Sequence, residues 1–181
     1  MAVVLIPDEN RALKSEKEIQ AFINPHGIFY EKWPLAERVN PEADAEDILK
    51  AYAPEIEVLK KKGGYVTADV MNVSPETPNL DEMMAKYKME HTHSEDEIRF
   101  FVDGKGLFWF HLDEGEVFNL LCERGDLISV PAGTKHWFDA GETNPFVKAI
   151  RIFIDMSGWV PNYTESGKET EFIDFNFPNR G

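Results

Sequence analysis

The chain of 181 residues is poor in cysteine, in positive charge and in long apolar runs. Its single cysteine, Cys122, cannot form an internal disulfide, which excludes a disulfide-stabilised scaffold and fits a reducing compartment. Lysine and arginine total 19 against 33 aspartates and glutamates, and the net charge of −14 would repel nucleic acids and anionic membranes. No apolar run approaches the roughly 20 residues that a membrane-spanning helix needs.

The N-terminus also lacks a basic segment before its first apolar residues, which end at Pro7, so we expect no signal peptide. These absences predict a cytoplasmic protein without nucleic-acid or membrane partners, and we expect a monomer. What is present argues for a folded core, because 43% of the residues are hydrophobic and 12% are aromatic.

The first 88 residues combine short strands with helices. β-Branched and aromatic residues predict strands at residues 2–6, 28–33 and 65–73. Apolar spacing predicts helices at residues 15–23, 40–63 and 77–87. In the longest of these helices, Asn40 is the candidate N-cap and Pro54 should kink or split the helix.

From residue 89 onward, short apolar strands alternate with turns. Five turns are predicted, at residues 103–106, 113–116, 123–126, 131–134 and 140–145. Their even spacing predicts a meander of antiparallel strands that closes into a sandwich or barrel. We therefore expect one domain over residues 1–181, with the barrel at 89–160, the segment 1–88 packed outside it, and a tail at 161–181 that the sequence does not place.

Three of the five histidines form a candidate metal site. His91 and His93 are two residues apart, so on a strand they share a face. Glu97 follows four residues later, and His136 comes directly after a turn that could bring a second strand alongside. Three imidazoles and a carboxylate suit iron, nickel, manganese, cobalt or zinc. The alternative is a charged surface strand with scattered histidines, which the glutamate and the downstream turn make less favourable.

Strand alternation extends this site to neighbouring side chains. If Glu97 points inward, Arg99 does too, and Phe138 shares the side of His136. For the strand at residues 146–153 the spacing leaves two choices open, with either Arg151 or Lys148 facing inward.

Two carboxylates flank the candidate ligands in the sequence. Glu90 precedes His91, and Asp96 precedes Glu97. Because a metal-bound histidine normally donates its second N–H to a carboxylate or carbonyl, we expect Glu90 or Asp96 to support a ligand.

The two histidine segments resemble the cupin motifs. The chain reads H-x-H-x-x-x-E from His91, and G, five residues, P-x-G-x-x-H from Gly125. It departs from the general pattern at Ala85 and Ala140, neither of which is a candidate ligand. The longer segments EHTHSEDEIRFFVDGKGLF and DLISVPAGTKHWFDAG resemble the bacterial acireductone dioxygenases of methionine salvage. The resemblance implies a mainly β fold, a cupin double-stranded β-helix (jelly-roll) barrel with a few peripheral N-terminal helices.

The same resemblance implies an activity and assigns the site residues. The metal would be one Fe²⁺ or Ni²⁺ per chain, held by His91, His93, Glu97 and His136. Arg99 would act in catalysis, and Arg151 and Phe138 would bind substrate. This role favours the choice in which Arg151 faces inward. Two arginines near the metal would add positive charge that favours loss of substrate protons.

The implied substrates are O₂ and the acireductone 1,2-dihydroxy-3-keto-5-methylthiopentene. With iron the products would be formate and 4-methylthio-2-oxobutanoate, and with nickel formate, carbon monoxide and 3-methylthiopropanoate. The alternative is a cupin sugar-phosphate isomerase or another metal-binding cupin. An isomerase would call for a lysine and further histidines in the barrel, and the sequence offers His111 as a spare.

Overall fold

The computed structural model describes residues 2–33, 38–40, 42–65, 67–154 and 160–176. Within these ranges the strands are β1 Val3–Ile6, β2 Arg11–Leu13, β3 Phe29–Lys32, β4 Thr67–Val73, β5 His91–Thr92, β6 Glu97–His111, β7 Val117–Glu123, β8 Asp126–Val130, β9 Lys135–Asp139, β10 Val147–Phe153 and β11 Asn162–Tyr163. The helices are α1 Glu16–Ile23, α2 Ala45–Ala51, α3 Ala53–Gly63 and α4 Leu80–Tyr87. None of the described helices is long and apolar enough to cross a membrane. Residue 41 of the predicted helix and residue 66 of the predicted strand lie outside the described residues.

The strands form two antiparallel layers that share β6. One layer has the order β2-β1-β7-β6-β9-β5-β11, and the other has the order β4-β10-β6-β8-β3. The first half of β6 pairs with β8 and β10, whereas its second half pairs with β7 and β9. The predicted mainly β barrel with peripheral N-terminal helices is confirmed.

The predicted meander is wrong in its strand pairing. After the β6–β7 hairpin, β8 pairs with β6 and β3, and β9 returns to the layer that contains β7. The chain thus crosses between layers from one strand to the next, as in a jelly roll. Turn spacing along the chain cannot distinguish this path from a meander, because both need turns of similar length.

The predicted turn at residues 103–106 is also wrong, because β6 runs through it. Opposite β6 the register of β10 shifts, with Lys148 facing Asp103 but Ala149 facing Phe101. Gly104 adopts a left-handed φ of 75° at this point, and an added Cβ would lie 2.1 Å from the Phe146 carbonyl oxygen. The irregularity is a β-bulge that bends the strand from one layer into the other.

The bulge also changes which residues of β6 face the barrel interior. Before it the odd-numbered side chains Glu97, Arg99 and Phe101 point inward, and after it the even-numbered Phe108 and Phe110 do. Simple alternation along the strand would have turned the second half outward. The bulge therefore brings Arg99 and Phe108 onto the same side.

The long predicted helix is split at Pro54, as expected. α2 ends at Ala51, and α3 begins with Pro54 in its first turn, where a missing N–H costs nothing. The helix begins later than predicted because the Asp44 carboxylate, and not Asn40, caps it by accepting from the Asp47 N–H at 2.9 Å. Asn40 instead accepts from the Glu42 N–H in the preceding turn.

Three apolar clusters hold these elements together. The first fills the barrel and includes residues of α1 and α4, and the second lies between the barrel and helices α2 and α3. The third covers the outer face of the layer that contains β7, where Trp109 stacks on Trp137. Phe172 and Phe175 of the C-terminal tail pack on Trp109, so the structure places the described part of this tail on the barrel wall.

Candidate metal centre

The three motif histidines converge at one end of the barrel. His91 on β5 lies directly opposite His136 on β9, and His93 follows the end of β5. One ring nitrogen from each lies within 4.8 Å of the other two, and all three side chains are buried. This spacing would let the three imidazoles bind one ion.

Each histidine uses its second ring nitrogen to contact a backbone carbonyl. Nδ1 lies 2.7 Å from the Met89 oxygen in His91, 3.3 Å from the Val160 oxygen in His93, and 2.8 Å from the Thr134 oxygen in His136. Because a carbonyl only accepts hydrogen bonds, Nδ1 carries the proton in each ring. The Nε2 lone pairs are then available to a metal.

Glu97 places a buried carboxylate beside these nitrogens. Its Oε2 lies 3.3 Å from Nε2 of His93 and 3.4 Å from Nε2 of His136, and the residue is 1% exposed. Arg99 Nη2 lies 2.6 Å from Oε1 as an ion pair, yet no described residue gives either oxygen a well-aligned hydrogen bond. A buried carboxylate with open lone pairs fits a divalent cation at this point.

The charges of the ligand set also fit a cation. Burial together with the neighbouring His136 lowers the pKa of His91 to about 4, so this imidazole is neutral at pH 7. Burial alone would raise the pKa of Glu97, but the Arg99 guanidinium and the imidazoles of His136 and His93 hold it well below its usual range. Neutral imidazoles and an ionised carboxylate are the forms that bind divalent metals.

Arg99 is the most unusual charged group beside the centre. It is 6% exposed, and its guanidinium carbon lies 5.1 Å from the Phe108 ring centre and 5.0 Å from that of Phe138. Its Nε and Nη1 have no hydrogen-bond partner among the described residues. The two rings stabilise the cation and fix its plane, but they leave two donors unsatisfied.

A cavity of about 210 Å³ opens next to these residues. It is lined by the three histidines, Arg99, Arg151, Phe108, Phe138, Phe153, Met83, Lys86, Tyr87, Pro161 and Tyr163. Apart from the histidines, the lining combines apolar and aromatic side chains with three cationic ones, Arg99, Arg151 and Lys86. The cavity could therefore accept a small anion with an apolar chain.

Arg151 lies on the cavity side of β10. This decides which face of the strand points inward, a choice that the spacing left open. Its neighbours Ile150 and Ile152 face the helices instead. The guanidinium makes two hydrogen bonds with the Asp69 carboxylate on β4, at 2.9 and 2.6 Å. Asp69 is the direct cross-strand partner of Arg151. No sequence pattern marks Asp69, because its role depends on strand pairing.

Neither carboxylate that flanks the ligands contacts a motif histidine, which corrects our expectation for Glu90 and Asp96. Backbone carbonyls occupy the second nitrogens of the histidines instead, as given above. Asp96 accepts from the Ala132 N–H at 2.9 Å and so ties the loop before β6 to the loop before β9. Glu90 is paired with His111, at 2.7 Å from its Nδ1, so the spare histidine is used outside the cavity.

Parts of the cavity wall come from segments that are distant in sequence and were not predicted to line the site. Met83 and Tyr87 belong to α4, and Pro161 and Tyr163 belong to the C-terminal segment. The spacing of Met83 and Tyr87 indicates a core-facing helix side, which is compatible with a cavity wall. No motif marks Pro161 or Tyr163.

Comparisons with known proteins agree with this geometry. The sequence profile of the ARD/ARD' family matches residues 7–161. An acireductone dioxygenase of Picosynechococcus sp. is 48% identical over 172 residues, which cover 95% of this chain and 97% of that relative. The acireductone dioxygenase of Granulibacter bethesdensis is 51% identical over 138 residues, covering 76% of each chain.

A solved structure shares the fold as well. The acireductone dioxygenase from Bacillus anthracis, with a cadmium ion in its active centre, superimposes with a TM-score of 0.82 and is 36% identical. The match covers 90% of this chain and 98% of that chain. Because the family match, the high identity and the shared fold each extend over most of the sequence, this chain belongs to the ARD/ARD' family.

Proposed function

We propose that the chain is a metal-dependent acireductone dioxygenase that acts in methionine salvage. The observation that carries the proposal is a buried arginine, Arg99, that has two donors with no partner among the described residues. It contacts the Glu97 carboxylate and lines one cavity together with the three histidines. Family membership supports the choice of substrate. The cytoplasmic location, the single domain and the monomeric state stay predictions from the sequence.

His91, His93, Glu97 and His136 are the proposed ligands, and the proposed ion is one Fe²⁺ or Ni²⁺ per chain. Their donor set of imidazoles and one carboxylate suits either ion. When bound, the ion supplies a Lewis acid that stabilises a deprotonated enediolate. With Fe²⁺ we expect formate and 4-methylthio-2-oxobutanoate, and with Ni²⁺ formate, carbon monoxide and 3-methylthiopropanoate.

Arg99 is the proposed catalytic residue. Its Nε and Nη1 are buried donors without a hydrogen-bond partner among the described residues. A hydrogen bond to an anionic substrate oxygen would stabilise them, because an unpaired buried N–H is costly. A fixed cation at the cavity wall lowers the free energy of the substrate dianion relative to the monoanion, so it favours loss of the second proton. Phe138 contributes by holding the guanidinium plane and by lining the cavity.

Arg151 is the proposed second substrate contact. Asp69 holds its guanidinium through two hydrogen bonds, which fixes the cation at the cavity wall. Met83, Tyr87 and Phe153 provide apolar surface for the methylthio chain. The arginines would thus bind the oxygen-bearing end of the substrate and the apolar residues its tail.

Oxygen uptake with the acireductone tests the proposal directly. The metal-free protein is loaded with Fe²⁺ or with Ni²⁺, and the products are separated after turnover. We expect O₂ consumption with both ions and carbon monoxide with nickel alone. If neither form consumes O₂ while a sugar phosphate is isomerised, the isomerase alternative replaces this proposal.

A further inference from the structure

We propose that Glu90 is a positioning residue that fixes the C-terminal segment, residues 160–166, as a wall of the active-site cavity. The inference rests on the proposed function for its substrate, but not for its contacts. The role differs from the one that the sequence suggests for Glu90, which was to support a ligand histidine.

Glu90 is 1% exposed and gathers hydrogen bonds from three side chains. Its Oε1 accepts from the Thr164 hydroxyl at 2.5 Å and from the Ser166 hydroxyl at 2.7 Å, and its Oε2 pairs with His111 Nδ1 at 2.7 Å. The Thr164 N–H also donates to the Glu90 carbonyl, at 3.1 Å. A buried carboxylate needs such donors, because an unpaired buried charge is strongly destabilising.

These bonds hold the segment directly over the metal centre. Asn162–Tyr163 pairs as β11 with β5, which places Tyr163 opposite His91, with ring centres 6.1 Å apart. Pro161 and Tyr163 line the cavity, and the Val160 carbonyl lies 3.3 Å from Nδ1 of His93. The segment therefore contacts two proposed ligands and bounds the space next to them.

Apart from the short β11–β5 pairing, the Val160 contact with His93 and the backbone hydrogen bond of Thr164, the described residues of the segment have few contacts that hold it in place. β11 has two residues, and the side chains of Val160 and Tyr163 are 59% and 40% exposed. Apolar anchoring of the tail begins only further on, where Phe172 and Phe175 pack on Trp109. Loss of the Glu90 bonds should thus loosen residues 160–166 locally while the rest of the tail stays attached.

A loosened wall should affect substrate binding more than metal binding. Tyr163 and Pro161 touch the cavity but are not proposed ligands, so a substrate that packs on them loses binding energy in both the ground and transition states. Such a loss raises KM and leaves kcat nearly unchanged.

Two variants and a matched control test the role of Glu90. Glu90→Ala removes the acceptor, and Thr164→Val removes one donor at nearly constant volume, in case the first variant does not fold. Thr164→Ser restores the hydroxyl. Thr170→Val is the control, because this exposed threonine lies in the same tail but bonds to the Gly167 carbonyl.

The first readout uses the metal-free protein and needs no activity. Hydrogen–deuterium exchange of peptides covering residues 160–166 should be about tenfold faster in Glu90→Ala and Thr164→Val than in the parent. Thr164→Ser and Thr170→Val should exchange like the parent. The second readout is KM for the acireductone, which should rise by about tenfold in the first two variants at unchanged metal content.

Parent-like exchange in both variants would overturn the proposal, as would faster exchange with an unchanged KM. Loss of metal from Thr164→Val together with parent-like exchange of residues 160–166 would also overturn it, because Glu90 would then act on the ligands and not on the wall. If the parent consumes no O₂ with the acireductone, the proposed function fails, while the exchange experiment still decides whether Glu90 fixes the segment.

Discussion

At the scale of single residues, the proposed activity depends on the position of the positively charged Arg99. Arg99 is buried against two adjacent aromatic rings and touches the Glu97 carboxylate, so its position is fixed before substrate binds. A cation whose geometry is set in advance needs no reorganisation during the reaction. The substitution of Arg99 is therefore the most informative single change.

Arg99→Ala should keep most of the metal and lose well over tenfold in kcat/KM, since each tenfold corresponds to only about 1.4 kcal/mol of barrier. Arg99→Lys should recover part of the rate, because it restores charge without the planar donors. Oxygen-uptake kinetics and metal analysis measure both effects. Arg11→Ala is the control, since this arginine is exposed and pairs with Glu9.

Spectra of an anaerobically bound acireductone distinguish two roles for Arg99. We expect a dianion in the parent and a monoanion in Arg99→Ala. A variant that forms the dianion and turns over at the parent rate would show that Arg99 only neutralises Glu97.

Asp69 should act through Arg151. Asp69→Asn removes the charge of the pair and one of its two acceptors, so the guanidinium loses its fixed orientation. We expect KM for the acireductone to rise by about tenfold with a smaller change in kcat, measured by oxygen uptake. Asp81→Asn on α4 controls for charge, and an unchanged KM in Asp69→Asn would remove Asp69 from the site.

At the scale of the elements, the path of β6 affects the position of Arg99. Gly106 has no room for a side chain, because an added Cβ would lie 2.2 Å from the Phe138 ring. Phe138 in turn packs on the Arg99 guanidinium. The close approach of β6 and β9 at this glycine therefore sets the position of Arg99, the proposed catalytic residue.

Gly106→Ala should displace Phe138 and cost about 1–3 kcal/mol of unfolding free energy together with activity. Gly64→Ala is the control, because its left-handed φ of 71° makes it strained but its added Cβ would meet nothing within 4 Å. Denaturant unfolding and kcat/KM are measured on both. Loss of stability without loss of activity in Gly106→Ala would contradict the link to Arg99.

Helix α3 offers a test of pH dependence away from the metal. The pKa of Glu55 is lowered chiefly by its hydrogen bond from Arg38, at 2.6 Å. A lowered folded pKa contributes stability above the unfolded value of about 4.3, which is lost as pH falls through the folded pKa.

Glu55→Gln should therefore lower the unfolding free energy by less than about 1 kcal/mol at pH 7, and by a smaller amount near pH 3. Thermal unfolding across this pH range measures it. Glu57→Gln, at an exposed position that pairs with Lys60, should show a smaller difference. An equal effect at both pH values would exclude the ion pair as its cause.

At the scale of the whole molecule, metal binding should stabilise the fold. The proposed ligands come from β5, the loop after it, β6 and β9, so an ion joins elements that are distant in sequence. An ion that binds only the folded state stabilises it by about 2.7 kcal/mol at a hundredfold excess over its Kd.

We expect Ni²⁺ to raise the Tm of the chelator-treated protein by several degrees, as measured by calorimetry. His91→Ala should lose both the bound metal and this shift. His26→Ala should keep both, because His26 is exposed and packs on Phe22 away from the site. A normal metal content in His91→Ala would remove His91 from the ligand set.

The sequence predicted well those features that depend on neighbours along the chain. The helix at residues 15–23, the split at Pro54 and four of the five turns follow from local backbone preferences, and the structure confirms them. The failures were at positions where distant strands decide. The turn expected at residues 103–106 is a bulge because β10 and Phe146 pack against it.

Residue types and spacing by themselves determined the candidate ligands. His91, His93, Glu97 and the turn before His136 form a metal-binding motif that can be recognised in the sequence alone. Only the tertiary structure decided what surrounds them. Arg151 faces the cavity because β10 pairs with β4 and β6, and Glu90 meets Thr164 across 74 residues of chain. Such contacts depend on strand register and on where the tail lies, which no local propensity encodes.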